Sequence, residues 1–514
     1  MINSNRIRSL VLIGIALLSF TIWFADGYFQ WVNSDTAGDA YALAQGIDFP
    51  RALFSNHEYR ARVSATILAY IPFHTVGYLY RELSGDPVTA LYVSQGVMAG
   101  GVFLLLVLIS AAYVSTAAPL RSQRFLLSAA MVLLFAMCLP PLPLHNSLSL
   151  TLRFGHQSVM CHYIGAMAIV LAAFFPFWRY LFSGVWLGRR DDSMWKCGFY
   201  VLITAAVFSS TVMMIWMGIM AAFALLSIVF CAFRNRRDPG RVPVTEKKWI
   251  HDPRIFPLLL VLFLVVFAVW VESMTARGGG SLQRTDLIQY IGVFFHFLVS
   301  PWGLAIAMTC IALILMIRRW NLRGISSERL ALLARVFPWL LAANMVFLFF
   351  IGLPRVRYRF DGYNLGPDTA LPATWSMVLW IMATLVESWR TRRLIGAAPV
   401  LAVLLLSNAL IFLDFSPQFY AYQNRERQKS VFQTIFRADR QLAVDAILPI
   451  PVENVAFTPA KLQKYTIPML REGGVISPQR KVKLVSWEAY ASWSGVFLAE
   501  NGRTDGKSAE AVQP

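Results

Sequence analysis

The chain has 514 residues, of which 57% are hydrophobic and 14% are charged, with a formal net charge of +18. Soluble domains are about 45–50% apolar and about 25% charged, and the apolar residues here come in long uncharged blocks, so the composition excludes a soluble protein. Most Lys and Arg fall in short loops between apolar blocks, where they orient a membrane protein, so we expect a lipid bilayer and no nucleic acid as partner. The fold class predicted is an all-α polytopic membrane protein.

About eleven apolar segments are long enough to cross a bilayer, since about 20 residues at 1.5 Å each cover roughly 30 Å of hydrocarbon. The stretch 197–233 has no charged turn, and Ser209, Ser210 and Thr211 mark the place where one short helix would end and another begin. The spans are predicted near 8–25, 88–113, 125–142, 158–180, 197–212, 214–233, 255–273, 298–317, 334–353, 371–387 and 395–413.

The orientation follows from basic charge in the segments between spans. With the N-terminus in the cytoplasm, every predicted cytoplasmic loop is rich in Lys and Arg, most of all 234–254, and the short outside loops hold far fewer. Because eleven is odd, the tail from Asp414 is predicted to lie outside the cytoplasm, on the same side as the large first loop, 26–87. We expect the protein in the cytoplasmic (inner) membrane.

Three units are predicted: a transmembrane domain over 1–413, a small extracytoplasmic α/β domain over 414–500, and a disordered tail over 501–514. The predicted domain 414–500 has strand-like runs at 452–458 and 481–487.

The segment 65–83 of the first loop has apolar and aromatic residues at near-helical spacing. Pro72, His74 and Gly77 interrupt it, so it favours an amphipathic helix along the membrane surface rather than another span.

An acidic stretch, VNSDTAGDAYALAQGIDFPR at 32–51, follows the first span. In a helix Asp35 and Asp39 would share one face. Such a pair could hold a divalent cation such as Mg²⁺ or Mn²⁺, or supply a general base that accepts a proton from an acceptor hydroxyl. Alternatively, Asp35 caps a helix that begins at Thr36, and Asp39 is a solvated residue of its first turn. The spacing leaves both interpretations open, and Asp48 is taken as structural.

Three arginines alternate in LPRVRYRFDGYN, residues 353–364. In an extended loop Arg355, Arg357 and Arg359 project to one side. Guanidinium groups bind phosphate bidentately, so these residues predict a site for a lipid phosphate or pyrophosphate at the outer surface. Tyr358, on the other side of the loop, is included among the candidate binding residues. The alternative is a headgroup-binding loop without a catalytic role.

A third outside connection, 142–163, gathers His145, Arg153, His156 and His162. The histidines do not have HExxH or HxxxH spacing, which argues against a metal site. Arg153 is predicted as a second phosphate contact and His156 as a candidate binding residue. The alternative for His156 and His162 is an interfacial or packed position. The chain has no P-loop, no GxGxxG after a strand and no GxSxG, so no ATP hydrolysis, dinucleotide cofactor or serine hydrolase is expected.

This layout resembles the GT-C membrane glycosyltransferases, which have many transmembrane helices, a large first extracytoplasmic loop and often an outer C-terminal domain. The stretch SDTAGDAYALAQGIDFP also resembles the run that follows the first helix in several branches. The resemblance implies that Asp35 is the acidic base or metal ligand, with Asp39 as runner-up, and that the arginine loop holds the lipid phosphate. The adjacent Asp-Glu or Asp-x-Asp pair of many members is absent, which leaves the metal requirement open.

The function implied by the resemblance is transfer of a sugar from a polyprenyl-phosphate carrier to a glycan, lipid or protein acceptor outside the cytoplasm. An O-antigen-type polysaccharide polymerase or ligase is the first alternative, since the loop with Arg153 and His156 would suit its polyprenyl-pyrophosphate substrate. A transporter or flippase is the second, although few charges lie mid-span and no internal repeat is evident.

Overall fold

A computed structural model describes residues 4–28, 63–116, 160–184, 186–187, 193–237, 252–273, 310–311, 313–318, 327–352, 367–390, 416–452, 463 and 466–501. Within these ranges the chain is mostly helical. Five of the helices are long and apolar enough to cross a membrane, and three shorter apolar helices accompany them. The prediction of a helical membrane protein is confirmed.

Ten helices, together with the helical residues 310–311 and 313–318, form the described part of the transmembrane region and first loop. They are α1 (Ser4–Tyr28), α2 (Val63–Pro72), α3 (Tyr78–Ser84), α4 (Pro87–Thr116), α5 (Ala166–Ser183), α6 (Ser193–Val207), α7 (Thr211–Arg237), α8 (Ile255–Ser273), α9 (Glu328–Gly352) and α10 (Pro367–Arg390). Two π-helical segments accompany them, Phe73–Gly77 between α2 and α3 and Met160–Gly165 before α5.

Most of the predicted spans coincide with described helices. The predicted spans 125–142 and 395–413 lie outside the described residues, and 298–317 is described only from 310 onward. The count of eleven therefore stays a prediction.

Helices α1 and α4 pack closely because α4 carries glycines where α1 approaches. A Cβ atom built on Gly100 would lie 2.8 Å from the backbone oxygen of Phe20, and one built on Gly96 would lie 2.9 Å from that of Phe24. Glycines four residues apart leave one face of a membrane helix open to a neighbouring backbone, which increases van der Waals contact.

Replacement of Gly100 by leucine is therefore expected to destabilise the protein by about 1–3 kcal/mol, since the clash is with backbone and rotation of a side chain does not relieve it. The matched control is Gly101→Leu, because a Cβ on Gly101 meets nothing within 4 Å. Thermal unfolding of the full chain in detergent measures both variants. A loss of stability in Gly101→Leu as large as that in Gly100→Leu would contradict the assignment.

The stretch 197–233 forms two helices, as predicted from its length. Helix α6 ends at Val207 and α7 begins at Thr211, and Ser209 and Ser210 in the connection are buried. The start of α2 closes the end of α6: the backbone N–H of Ser64 donates to the Phe208 oxygen at 3.1 Å, and its hydroxyl donates to the Ala205 oxygen at 2.7 Å. The connection between α6 and α7 thus lies beside the start of α2.

A buried hydrogen-bonded chain links α7, α9 and α10. The indole Nε1 of Trp216 donates to Asn344 Oδ1 at 3.0 Å, and Asn344 Nδ2 donates to Ser376 Oγ at 2.9 Å. Trp216 is five residues from the start of α7, Asn344 eight from the end of α9 and Ser376 nine from the start of α10. Because Phe230 lies by Trp339 and Ser327 by Glu387, α9 is antiparallel to both α7 and α10, so the start of α7, the end of α9 and the start of α10 point the same way.

Contacts at the opposite end join other helix termini. The hydroxyl of Ser327, just before α9, donates to buried Glu387 near the end of α10 at 2.9 Å. The guanidinium of Arg254, just before α8, lies 4.8 Å from the ring centre of Tyr180, near the end of α5. Helices α9 and α10 therefore run antiparallel, and the end of α5 lies beside the start of α8.

The predicted amphipathic segment 65–83 is helical from Val63 to Ser84, and the helix continues through its proline and glycine by way of the π-helical turn. Ala69, Phe73 and Gly77 form a buried stripe, whereas Ile71 and Leu79 are exposed. The helix is confirmed, and its position along the membrane surface stays a prediction.

The tail contains helices and a small sheet. Its elements are α11 (Ser416–Gln441), β1 (Leu448–Pro451), α12 (Ile467–Glu472), β2 (Val482–Val485) and α13 (Trp487–Asn501). The two strands pair in parallel, with Leu448 opposite Val482. Strand β1 precedes the predicted run 452–458, of which the structure describes only Val452, and β2 lies within the predicted run 481–487. We refer to 416–452 and 466–501 as the tail unit.

A buried ion pair closes the end of α11. Arg480 Nε donates to Asp439 Oδ1 at 2.6 Å, and the same guanidinium donates to backbone oxygens that include Ala443 at 2.5 Å and Leu442 at 3.3 Å. Ser477 donates to Asp439 through both its backbone N–H and its hydroxyl. The free carbonyl groups at the helix end are thereby satisfied by a fixed positive charge.

We expect the tail unit to lose stability in acid through Asp439. Burial raises the pKa of this carboxyl. The hydrogen bonds from Ser477 and Arg480 and the charge of Arg480 lower it by more than burial raises it, so the pKa lies below the ordinary value of 3.8. A carboxyl with a lowered folded-state pKa stabilises the fold fully above its unfolded pKa of about 4, and this contribution declines as the pH falls through the folded-state pKa. Amide hydrogen exchange of β1 and β2 between pH 5 and 3, corrected for intrinsic rates, measures the loss, and Asp439→Asn is expected to remove the contribution of this group.

Candidate functional site

The tail unit packs against one end of the helix bundle, which we call the tail-side end. At this junction Arg425 of α11 is 3% exposed, and its guanidinium lies 4.9 Å from the ring centre of Tyr28 and 5.0 Å from that of Tyr92. Glu426 forms an ion pair with it, and the hydroxyl of Tyr92 donates to Gln428 Oε1 at 3.1 Å. One charged group of the tail unit is thus enclosed by the last residue of α1 and the start of α4.

The last turn of α1 is also held by α4 directly. Gln95 Nε2 donates to the backbone oxygen of Gly27 at 2.9 Å. A Cβ on Gly27 would lie 2.7 Å from the Cβ of Ala99, so only a glycine allows this approach. The point at which the chain leaves α1 toward the acidic stretch is therefore fixed on two sides.

The first loop meets the tail unit at a second place. Arg81 of α3 donates to the backbone oxygen of Glu472 at 3.3 Å. The turn that follows contains Gly474 with φ of +78°, and a Cβ there would lie 3.0 Å from Arg81 Nη1. Only glycine adopts this backbone conformation without strain, and it also makes room for the guanidinium. The first loop and the tail unit are therefore in contact, and their location outside the cytoplasm stays a prediction.

The π-helical segment Met160–Gly165 contains buried Cys161 and His162. The segment packs against α2, α4 and α10. The packed position considered for His162 agrees with its burial. Extra-residue π turns are frequent at functional sites, but here the turn also lets the helix fit beside α2.

The helix ends that flank the predicted site segments fall into two groups of contacts. Tyr28 precedes the acidic stretch, Met160 follows the loop of Arg153 and His156, and Gly352 and Pro367 flank the arginine loop. Tyr28 contacts the tail unit, Met160 begins a segment that packs on α2, and α9 and α10 share their end with the α6–α7 connection beside Ser64. The end of α1 is thus held by the tail unit, and the other three ends gather around α2, whose Ser64 is 17 residues, or roughly 25 Å of helix, from the tail contact at Arg81.

The predicted site residues themselves lie outside the described residues. They are Asp35, Asp39, Arg153, His156, Arg355, Arg357, Tyr358 and Arg359. Their roles therefore stay predictions. Each follows or precedes one of the four helix ends by no more than eleven residues, a length that spans at most roughly 40 Å when extended.

Sequence reasoning did not single out Arg425, Tyr28 or Tyr92. An arginine in a charged tail is expected to be solvated. The residue pattern of the tail does not indicate a contact between Arg425 and aromatic residues of the first two spans. The signal that was present is the position of Tyr28 at the exact transition from the apolar run to the acidic stretch, where an aromatic ring commonly marks a membrane boundary.

No cluster of three or more His, Cys, Asp or Glu side chains that could hold a metal ion occurs among the described residues. A cation held by Asp35 and Asp39 stays a prediction, because both lie outside them.

Comparison of the chain with protein-family models, with curated proteins and with solved structures finds no match. The function is therefore inferred from the chemistry of the predicted site residues and from the helices that flank them.

Proposed function

We propose that the protein is a membrane glycosyltransferase that moves a sugar from a polyprenyl-phosphate carrier to a glycan, lipid or protein acceptor outside the cytoplasm. The observation that supports the proposal is that the first-loop helix 63–84 contacts the tail unit, which holds the end of α1 before the acidic stretch, and also the α6–α7 connection near the ends of α9 and α10 around the arginine loop. A transfer reaction needs a group for the acceptor and a group for the leaving phosphate within reach of one sugar. We infer that the helix 63–84, which touches the neighbours of both segments, brings them to one substrate.

The chemistry assigned to the two segments is complementary. The acceptor hydroxyl oxygen attacks the anomeric carbon, the bond between that carbon and the phosphate oxygen breaks, and polyprenyl phosphate leaves with the bonding electron pair. Asp35 takes the proton of the hydroxyl or holds a cation, with Asp39 as the alternative. Arg355, Arg357 and Arg359 stabilise the negative charge that develops on the phosphate.

The bundle also suits a donor dissolved in the bilayer. Apolar side chains such as Phe263 and Val266 of α8 and Leu315 are exposed on the described surface, as expected of helices that face lipid. The carrier chain would stay in the hydrocarbon while its phosphate and sugar reach the tail-side end. We place this end outside the cytoplasm, because the basic loops of the sequence follow the opposite helix ends.

The test uses the full-length protein in liposomes with synthetic polyprenyl-phosphate hexoses and pentoses carrying a radiolabelled sugar, and with envelope material of the expression host as acceptor. We expect covalent transfer of label and release of polyprenyl phosphate. Label that crosses the bilayer without forming a covalent product would overturn the proposal in favour of a transporter or flippase. Turnover only of polyprenyl-pyrophosphate-linked glycans would favour the polymerase or ligase.

A further inference from the structure

We propose that Arg425 is a positioning residue through which the tail unit sets the end of α1 for sugar transfer. The inference rests on the proposed function and deepens it, since it assigns the tail unit a part in the reaction. The tail unit then acts as a fixed component of the site and not as a separate appendage.

The first reason is the cost of burying this guanidinium. A charged side chain removed from water is strongly destabilising unless other groups replace its hydration. At Arg425 the replacement includes the carboxylate of Glu426 and the faces of two tyrosine rings. Cation–ring contacts of a desolvated arginine are stronger than exposed ones. Separation of the tail unit from α1 and α4 would expose the charge and lose these contacts together.

The second reason is that neighbouring arginines of α11 do not act in this way. Arg427 lies over Trp487, and Arg440 lies over Phe436, so both of these contacts stay inside the tail unit. Arg425 instead contacts Tyr28 of α1 and Tyr92 of α4. Arg425 thus makes its cation–ring contacts with helices outside the tail unit, whereas Arg427 and Arg440 make theirs inside it. Arg427 and Arg440 are therefore matched controls for Arg425.

The third reason is the position of Tyr28. It is the last residue of α1, and the preceding Gly27 is already fixed by Gln95 and by its approach to Ala99. A close-packed junction of this kind has little freedom to adjust, so loss of Arg425 would shift or loosen the last turn of α1. A displacement of about 1 Å is enough to slow a reaction about 100-fold when it changes the approach of reacting groups.

The experiment compares Arg425→Ala and Arg425→Lys with Arg427→Ala in the full-length protein, and Tyr28→Leu with Tyr28→Phe. We expect Arg425→Ala and Tyr28→Leu to lower kcat of transfer at least about 10-fold with little change in KM for the donor. Tyr28→Phe keeps the ring and is expected to retain activity, Arg425→Lys to fall between, and Arg427→Ala to match the wild type.

A second measurement does not depend on catalysis. Amide hydrogen exchange of the last turn of α1 is expected to rise in Arg425→Ala and to stay unchanged in Arg427→Ala. Unchanged exchange, an unchanged kcat in Arg425→Ala, or an equal loss in Arg427→Ala would each overturn the positioning role. If the wild type transfers no sugar from any donor of the panel, the proposed function fails, and the exchange data alone then show whether Arg425 holds α1.

Discussion

Replacement of Asp35 by alanine is expected to lower the rate of sugar transfer by about 10²- to 10⁴-fold, the usual contribution of a general base. The reason is that the acceptor hydroxyl is a weak nucleophile until a positioned carboxylate takes its proton. Asp48→Ala serves as the control, since it lies in the same stretch and is assigned a structural role. Transfer from the radiolabelled donor in liposomes measures all of the variants.

The asparagine variant separates chemistry from helix capping. Asparagine caps a helix about as well as aspartate, so Asp35→Asn would keep the stability and the activity if the residue only capped a helix. Asparagine does not accept the proton, so the same variant would lose transfer if Asp35 were the base. Full transfer in both Asp35→Ala and Asp39→Ala, together with loss in Arg153→Ala or His156→Ala, would contradict the glycosyltransferase proposal and favour the polymerase or ligase.

Replacement of Arg480 by methionine is expected to destabilise the tail unit by about 3–5 kcal/mol, because removal of one partner leaves the other charge buried and uncompensated. Asp439 is almost fully buried beside it, and several carbonyl groups at the end of α11 lose their donor. Amide hydrogen exchange of β1 and β2 in the full-length protein gives the free energy of local opening.

Two further variants test the cause of that loss. Arg440→Met changes an exposed arginine of the same unit and is expected to shift the opening free energy by less than about 0.5 kcal/mol. Asp439→Asn combined with Arg480→Met removes both charges, so the double variant is expected to be more stable than the sum of the single losses. Additive losses would show that the carboxylate and the guanidinium do not stabilise each other.

The sequence predicts the described apolar helices because their signal is local. An uncharged apolar run must be helical in a bilayer, and 197–233 is long enough for two short helices, with Ser209, Ser210 and Thr211 between them. The number of spans and the side of the first loop and the tail stay predictions from counting spans and basic loops. None of these steps requires knowledge of which side chains touch.

Strand β1 shows where local signals mislead. Pro449 and Pro451 argue against a strand, since proline donates no hydrogen bond to a ladder. In the structure the backbone N–H groups of Leu448 and Val452 donate toward β2, and the prolines occupy the alternate positions, whose nitrogen faces away from the partner. Only the register of the pair, which depends on residues about thirty positions later, makes the prolines acceptable.

The junction around Arg425 is similarly hidden from sequence. It joins residues from α1, α4 and α11, and neither charge nor periodicity relates them. The predicted site residues lie outside the described part of the chain. The structure therefore describes the helices that flank them, and the Asp35, Asp39, Arg153 and His156 variants test their chemistry.

The hydrogen bonds between Ser64 and the end of α6 have a consequence for the order of events during synthesis. Ser64 and Ala205 are 141 residues apart, and at about 5–20 residues per second the ribosome needs roughly 7–30 s to bridge that interval. Until α6 has entered the membrane, the first loop helix has no partner for this contact. Packing of the start of the first-loop helix therefore waits for the middle of the chain, and the contact of its other end with the tail unit, through Arg81, comes last.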